Sequence, residues 1–217
     1  MSFFSQKNPK NKPVFNSPPA TIWLCGILIA AHILYLILPI ELQNETFQNF
    51  SFIPLLFLSQ FAEDGPGIVS ERMLQLVTYV FLHADLMHIL INLGLLLAFG
   101  SLIERTAGVS KFIIIFFASA IGGALAMTWW VGPSPISMIG ASGAVYGLIG
   151  AATRFLFVHE VGARQHGTLI FVAVIMGLNI LIALMGWGGL VHATQIAWQA
   201  HVGGFIFGLV LSQILIR

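Results

Sequence analysis

Ser142 and His201 are the residues of this chain best suited to chemistry. A serine hydroxyl becomes a useful nucleophile when a histidine takes its proton, and the two together can run a covalent hydrolase. Ser142 stands in Gly140-Ala141-Ser142-Gly143, at the head of one apolar stretch, and His201 stands near the head of another. Both stretches are long enough to cross a bilayer. Ionisable residues at such depth are rare and functional by default. His88 and Asn92, four apart on one face of a third stretch, can donate hydrogen bonds to an oxyanion. His83, at the loop end of that stretch, can support them. Tyr146, one helical turn after Ser142, is placed to pack on the His201 ring. The last three apolar stretches contain no Asp or Glu. No buried carboxylate is therefore available to orient the histidine, and a Ser–His dyad is the expected unit.

Each residue alone has a plainer explanation. A Gly-x-Ser-Gly string in a glycine-rich helix serves packing. A single membrane histidine can be a hydrogen-bonded interior group or a proton relay. His83, His88 and Asn92 could be metal ligands or an interhelical hydrogen-bond cluster. A metal enzyme or transporter built on them would find no carboxylate or thiolate partner in the spans. His32 and Asn179, both mid-span, read as satisfying neighbouring helices. Glu104, with Arg105 and Gly108, reads as pinning a loop at the interface.

The composition says where these residues sit. Charged residues make up 8% of the 217 positions, against about 25% in soluble domains. Hydrophobic residues make up 58%, and mean hydropathy is +0.93. An all-α integral membrane protein follows. The net charge of +1 gives no sign of nucleic-acid binding. The single cysteine, Cys25, excludes an intramolecular disulfide framework and reads as a small apolar residue.

Six spans are predicted, at about residues 21–40, 85–103, 112–131, 142–158, 168–187 and 193–216. Two shorter apolar pieces, 52–58 and 73–82, fit a re-entrant first loop. Residues 1–19 read as a polar, disordered cytoplasmic tail, and 20–217 as one helical domain. The tail carries Lys7, Lys10 and Lys12, and the second and fourth loops carry Arg105, Lys111 and Arg164. The first loop carries Glu41, Glu45, Glu63, Asp64 and Glu71 against Arg72. The positive-inside rule then places both termini in the cytoplasm.

Depth links the candidate residues. Ser142 lies 12 residues from Arg154, and Asn92 lies 12 from Glu104. His88 lies 16 from Glu104, and His201 lies 16 from Arg217. At helical rise these separations are roughly 18–24 Å. In a hydrocarbon core of about 30 Å, three spans deliver their polar groups to one layer below the outer surface. Gly143, Gly147 and Gly150 on the fourth span, and Gly204 and Gly208 on the sixth, let the serine and histidine helices approach with backbones nearly touching.

At these residues the chain resembles the rhomboid family of intramembrane serine proteases. The matching strings are His83-Ala-Asp-Leu-Met-His88-Ile-Leu-Ile-Asn92, Glu104-Arg-Thr-Ala-Gly108, Gly140-Ala-Ser142-Gly143-Ala-Val-Tyr146-Gly147 and Ala200-His201-Val-Gly-Gly204-Phe-Ile-Phe-Gly208. The resemblance implies a six-transmembrane-helix bundle with Ser142 as nucleophile and His201 as base. His88, Asn92 and the Ser142 amide would form the oxyanion hole, and Tyr146 would stack on His201. Substrates would be transmembrane helices of other proteins, cut near the outer boundary of a bacterial inner membrane. No metal, nucleotide or other cofactor is expected. Relatives without the dyad bind client helices instead of cutting them, which is the alternative reading. One departure concerns the first loop. Many members carry Trp-Arg where this chain has Leu74 and Gln75, which puts loop anchoring in question.

Overall fold

The computed structural model describes residues 17–63, 71–159, 163–184 and 197–216. Most of the predicted tail, and the facing ends of the fifth and sixth predicted spans, lie outside the described residues. Within them the fold is all-helical. α1 (Pro19–Ile37) leads into three short helices, α2 (Ile40–Phe50), α3 (Pro54–Glu63) and α4 (Glu71–Thr78). A 3-10 turn at Tyr79–Phe81 follows. α5 (Leu86–Leu95) passes through a π-helical stretch, Leu96–Gly100, into α6 (Ser101–Ala107). Then come α7 (Val109–Val131), α8 (Ser142–His159), α9 (Ala163–Leu184) and α10 (Trp198–Leu215).

Pro39 ends the first span earlier than hydropathy suggests, since proline cannot continue a helix through its missing N–H. The chain restarts as α2, a helix that the apolar pattern did not announce because its sequence is largely polar. Among the described residues, four helical stretches are long and apolar enough to cross a bilayer: Pro19–Ile37, Leu86–Ala107, Val109–Val131 and Trp198–Leu215. The sequence predicts six spans. α9 contributes a shorter apolar stretch, Gln165–Leu181. α8 is less apolar for a physical reason. Its residues from Gly143 to Thr153 are all buried by neighbouring helices, so small residues replace the large apolar ones that lipid contact would call for.

α7, α8 and α10 form the centre of the bundle and approach at glycines. A Cβ on Gly204 would strike the carbonyl oxygen of Gly143, and one on Gly208 that of Gly147. A Cβ on Gly150 would strike the carbonyl oxygen of Phe205, and one on Gly123 would sit 2.8 Å from that of Ala200. α10 therefore lies with its backbone against both neighbours, and no side chain larger than hydrogen fits at these crossings. Phe112, Ile115, Phe116, Leu148 and Ile149 fill the space around the seam.

Polar residues tie the remaining helices in. Glu104, 6% exposed, accepts from Ala20 N (3.0 Å), Thr21 N (2.7 Å) and the Thr21 hydroxyl (2.7 Å). Its backbone carbonyl accepts from Gly108 N–H at 2.9 Å, in the loop that the sequence predicts it to pin, while its carboxylate reaches further. It satisfies the leading amides of α1, which have no intrahelical acceptor. Arg154 acts at the other kind of helix end, donating through Nη1 to the carbonyls of Ser212 (3.3 Å) and Ile216 (2.9 Å) at the end of α10. Gln75 answers the question of loop anchoring. Its buried Nε2 donates to the carbonyls of Gln48 (3.2 Å) and Asn49 (3.1 Å), in the last turn of α2.

Candidate active site

Ser142 is the first residue of α8, and the loop before it is held from three sides. Phe52 and Met138 exchange backbone hydrogen bonds of 3.0 and 2.8 Å. Gly140 N–H donates to the carbonyl of Tyr79 at 2.9 Å. Tyr79 is itself fixed, 1% exposed, by donating to the carbonyl of Ala120 at 2.9 Å. Ala141 N–H donates to His83 Nε2 over a longer 3.4 Å. Burial, more than the neighbouring His88 and His32, holds His83 well below the ordinary histidine value, at about 3. His83 is therefore neutral and keeps Nε2 free to accept. Gly140 has φ +107°, a conformation that L side chains rarely adopt, and a Cβ there would meet His88 Nε2 at 2.5 Å. Glycine at 140 thus allows the turn and makes room for the imidazole.

From this turn Ser142 Oγ reaches His201 Nε2 at 2.6 Å. The His201 ring lies parallel to that of Tyr146, with centroids 4.4 Å apart and planes 3° from parallel. His201 is set by α10 and Tyr146 by α8, and the glycine crossings of those helices permit the approach. His88 stands on the other side, at the start of α5. Asp85 caps that helix by accepting from His88 N at 2.8 Å, the usual use of Asp at a helix start. Ala84 N–H points at His88 Nδ1 at 3.4 Å. An N–H facing Nδ1 requires an unprotonated nitrogen there, which leaves the ring proton on Nε2, beside Gly140. Asn92, 2% exposed, donates from Nδ2 to the carbonyl of His88 at 2.9 Å. One of its two amide hydrogens is thereby used, and the second is not engaged by that bond.

The structure therefore brings Ser142, His201 and Tyr146 together. It sets His88 against Gly140 and His83 behind Ala141. Gly143, Gly204 and Gly208 lie in the seam beneath the pair. Two residues gain a place that their sequence context did not signal. Tyr79 holds the turn through backbone and hydroxyl. Asn179, on α9, presents Oδ1 to His201 Nδ1 at 2.6 Å. A lone amide in an apolar stretch is a visible cue, but its partner depends on how α9 is rotated. His32 also meets the site indirectly, its ring 6.2 Å from that of His83 and edge-on to it.

Apolar helices of membrane length, packed on glycine around a serine hydrogen-bonded to a histidine, describe a multi-pass membrane protein. Residues 70–217 match the family model described as the Rhomboid domain, about two thirds of the chain, and the protein belongs to the rhomboid family. Named relatives agree. YdcA of Bacillus subtilis, which bears a rhomboid protease name, is 26% identical over 152 residues, covering 70% of this chain and 71% of its own. Rhomboid-like protease 3 of Toxoplasma gondii is 30% identical over 147 residues, covering 68% of this chain and 53% of its own. Rhomboid protease GluP of Bacillus subtilis is 30% identical over 148 residues, covering 68% of this chain and 27% of its own. The chain thus spans about half of the Toxoplasma protein and about a quarter of GluP.

Proposed function

We propose that this protein is an intramembrane serine endopeptidase, cutting transmembrane segments of other membrane proteins near the outer boundary of the bilayer. The 2.6 Å contact between Ser142 Oγ and His201 Nε2, within a bundle of apolar helices, carries this reading. Ser142 Oγ attacks the scissile carbonyl carbon as its proton passes to His201 Nε2. The carbonyl electron pair moves onto oxygen. Collapse of that intermediate breaks the C–N bond, and His201 returns the proton to the leaving amine. Water, activated by the same imidazole, then hydrolyses the acyl-enzyme.

The oxyanion is met by the Ser142 N–H, His88 Nε2–H and the second Asn92 Nδ2 hydrogen. Ser142 heads a helix, so its amide has no intrahelical acceptor and points along a dipole that favours negative charge. Such donors act strongly in a site of low dielectric. Tyr146 keeps the His201 ring from rotating out of reach. Transmembrane helices are the substrates and the bilayer is the setting. No metal, nucleotide, nucleic acid or other cofactor takes part.

Six spans complete the bundle in this reading, α8 and α9 joining the four apolar helices. α2, α3 and α4 form a re-entrant first loop. Residues 20–217 make one protease domain, and 1–19 a cytoplasmic tail. The lysines of the tail and the basic second and fourth loops favour cytoplasmic termini in the inner (plasma) membrane, which puts Ser142 toward the outer side.

The test is cleavage of a reporter transmembrane helix in liposomes by wild type, Ser142→Ala and His201→Ala, with a fluorophosphonate probe for Ser142. Cleavage by wild type alone, with labelling, is expected. Undiminished cleavage by Ser142→Ala overturns the mechanism. Absence of both cleavage and labelling in the wild type turns the reading toward a family member that binds client helices without cutting them.

A further inference from the structure

Asn179 sits in the middle of α9, within Gly177-Leu178-Asn179-Ile180-Leu181. Between residues 165 and 181 it is the only buried residue of this helix, at 5% exposed, while Leu178, Ile180 and Leu181 face outward. Over those residues the helix spends its one enclosed position on an amide. Stability alone argues against that choice. Asn179 Nδ2 is buried without a hydrogen-bond partner among the described residues, and a buried donor left unpaired is destabilising where an apolar residue is not. The other end of the amide has a definite partner, His201 Nδ1, at 2.6 Å.

We infer that Asn179 is a positioning residue for His201, making the unit a Ser–His–Asn relay rather than a dyad; this rests on the protease reading above. The chemistry follows from which atom faces which. An amide oxygen can only accept, so Oδ1 facing Nδ1 requires the imidazole proton to be on Nδ1. Nε2 is then the bare nitrogen, and it faces the Ser142 hydroxyl. The opposite tautomer would carry hydrogen on Nε2 and could not take the serine proton. The same Oδ1 stays within hydrogen-bond distance when His201 gains its second proton, and the amide dipole favours that positive ring. Stacking on Tyr146 fixes the plane of the ring, whereas Asn179 fixes rotation within that plane and the site of the proton. Cys–His–Asn proteases use an amide in this position on an unrelated fold.

Asn179→Leu removes the acceptor and keeps the γ-branched shape in a somewhat bulkier side chain. We expect kcat to fall on the order of 10–100-fold, within the range that a general base contributes. KM should change less than about twofold, because Asn179 is assigned no substrate contact. The thermal midpoint should change little, because the unpaired Asn179 Nδ2 is removed while the His201 Nδ1–H loses its acceptor. Asn179→Asp keeps an acceptor toward Nδ1 and should recover at least part of the lost rate. Fluorophosphonate labelling of Ser142 should slow in parallel in Asn179→Leu, independently of any peptide substrate. Nitrogen-15 shifts of His201 should move toward the other tautomer. Wild-type kcat and labelling in Asn179→Leu would overturn the relay while leaving the protease intact. A drop in midpoint matching the loss of activity, with no rescue by aspartate, would make Asn179 merely structural. Loss of both cleavage and labelling in the wild type itself would instead bring down the protease reading.

Discussion

Gly204→Ala tests whether helix packing holds the serine and histidine in register. The added Cβ collides with the Gly143 carbonyl oxygen and lies 2.9 Å from its carbon and 3.3 Å from the Gly143 Cα. All three atoms are backbone, so no side chain can swing aside. Ordinary Cβ contacts lie at 3.4–4 Å. α10 must therefore retreat from α8 by on the order of 1 Å, or distort, as overpacked interiors do. Gly204 is three residues from His201, and Gly143 adjoins Ser142, so the displacement falls on the pair itself. Its length is 2.6 Å, and an added ångström takes it beyond the hydrogen-bond range of about 3.2 Å. Misplacement of this size costs roughly 10²-fold in rate. Overpacking costs about 1–3 kcal/mol, which lowers the melting midpoint without preventing folding. The assay is the initial rate of reporter-helix cleavage in liposomes, beside unfolding curves in detergent. Gly26→Ala is the control, since nothing lies within 4 Å of its Cβ. Gly204→Ala cutting at the wild-type rate, or Gly26→Ala losing as much, would refute the reasoning.

Two further effects are expected away from the reacting atoms. Glu104→Gln turns an amide group toward the Thr21 donors and should cost about 2 kcal/mol of stability, read as a lower midpoint with near-normal kcat in the folded fraction; an unchanged midpoint would count against the clamp. His83 is held at about 3 in the folded protein, below its unfolded value of about 6.5. The unfolded chain therefore binds the proton first as pH falls, and stability drops by up to about 1.4 kcal/mol per pH unit below 6.5. His83→Gln should flatten that decline between pH 6.5 and 4.5, and an equal slope in both proteins would argue against it.

Ser142, Tyr146 and His201 could be singled out because local spacing and hydropathy speak to them directly. Tyr146 is one turn from Ser142, and the two glycine-rich helices announce a close approach. Pairings that depend on helix rotation or on distant chain were not legible in the same way. Asn179 and His32 are both polar residues in apolar stretches, and only their neighbours separate the one that meets His201 from the one that meets His83. Glu104 reads as part of its own loop, yet its acceptors serve a helix 83 residues earlier. Gln75 reads as the loss of an arginine, until its amide is seen spanning two carbonyls at the end of α2. α8 shows the reverse difficulty. Its enclosure lowers the apolarity by which spans are recognised.

The Glu104 clamp also imposes an order on synthesis. The α1 amides are made 83 and 84 residues before the carboxylate that satisfies them. While the ribosome adds the intervening chain, those N–H groups can find partners only in water or lipid headgroups, because hydrocarbon offers none. The leading turn of the first helix is therefore held at the polar boundary until α6 arrives. Of the described helices α1 is made first, and it cannot be the first finished. A nascent chain arrested before residue 104 has an open helix end that the completed protein closes.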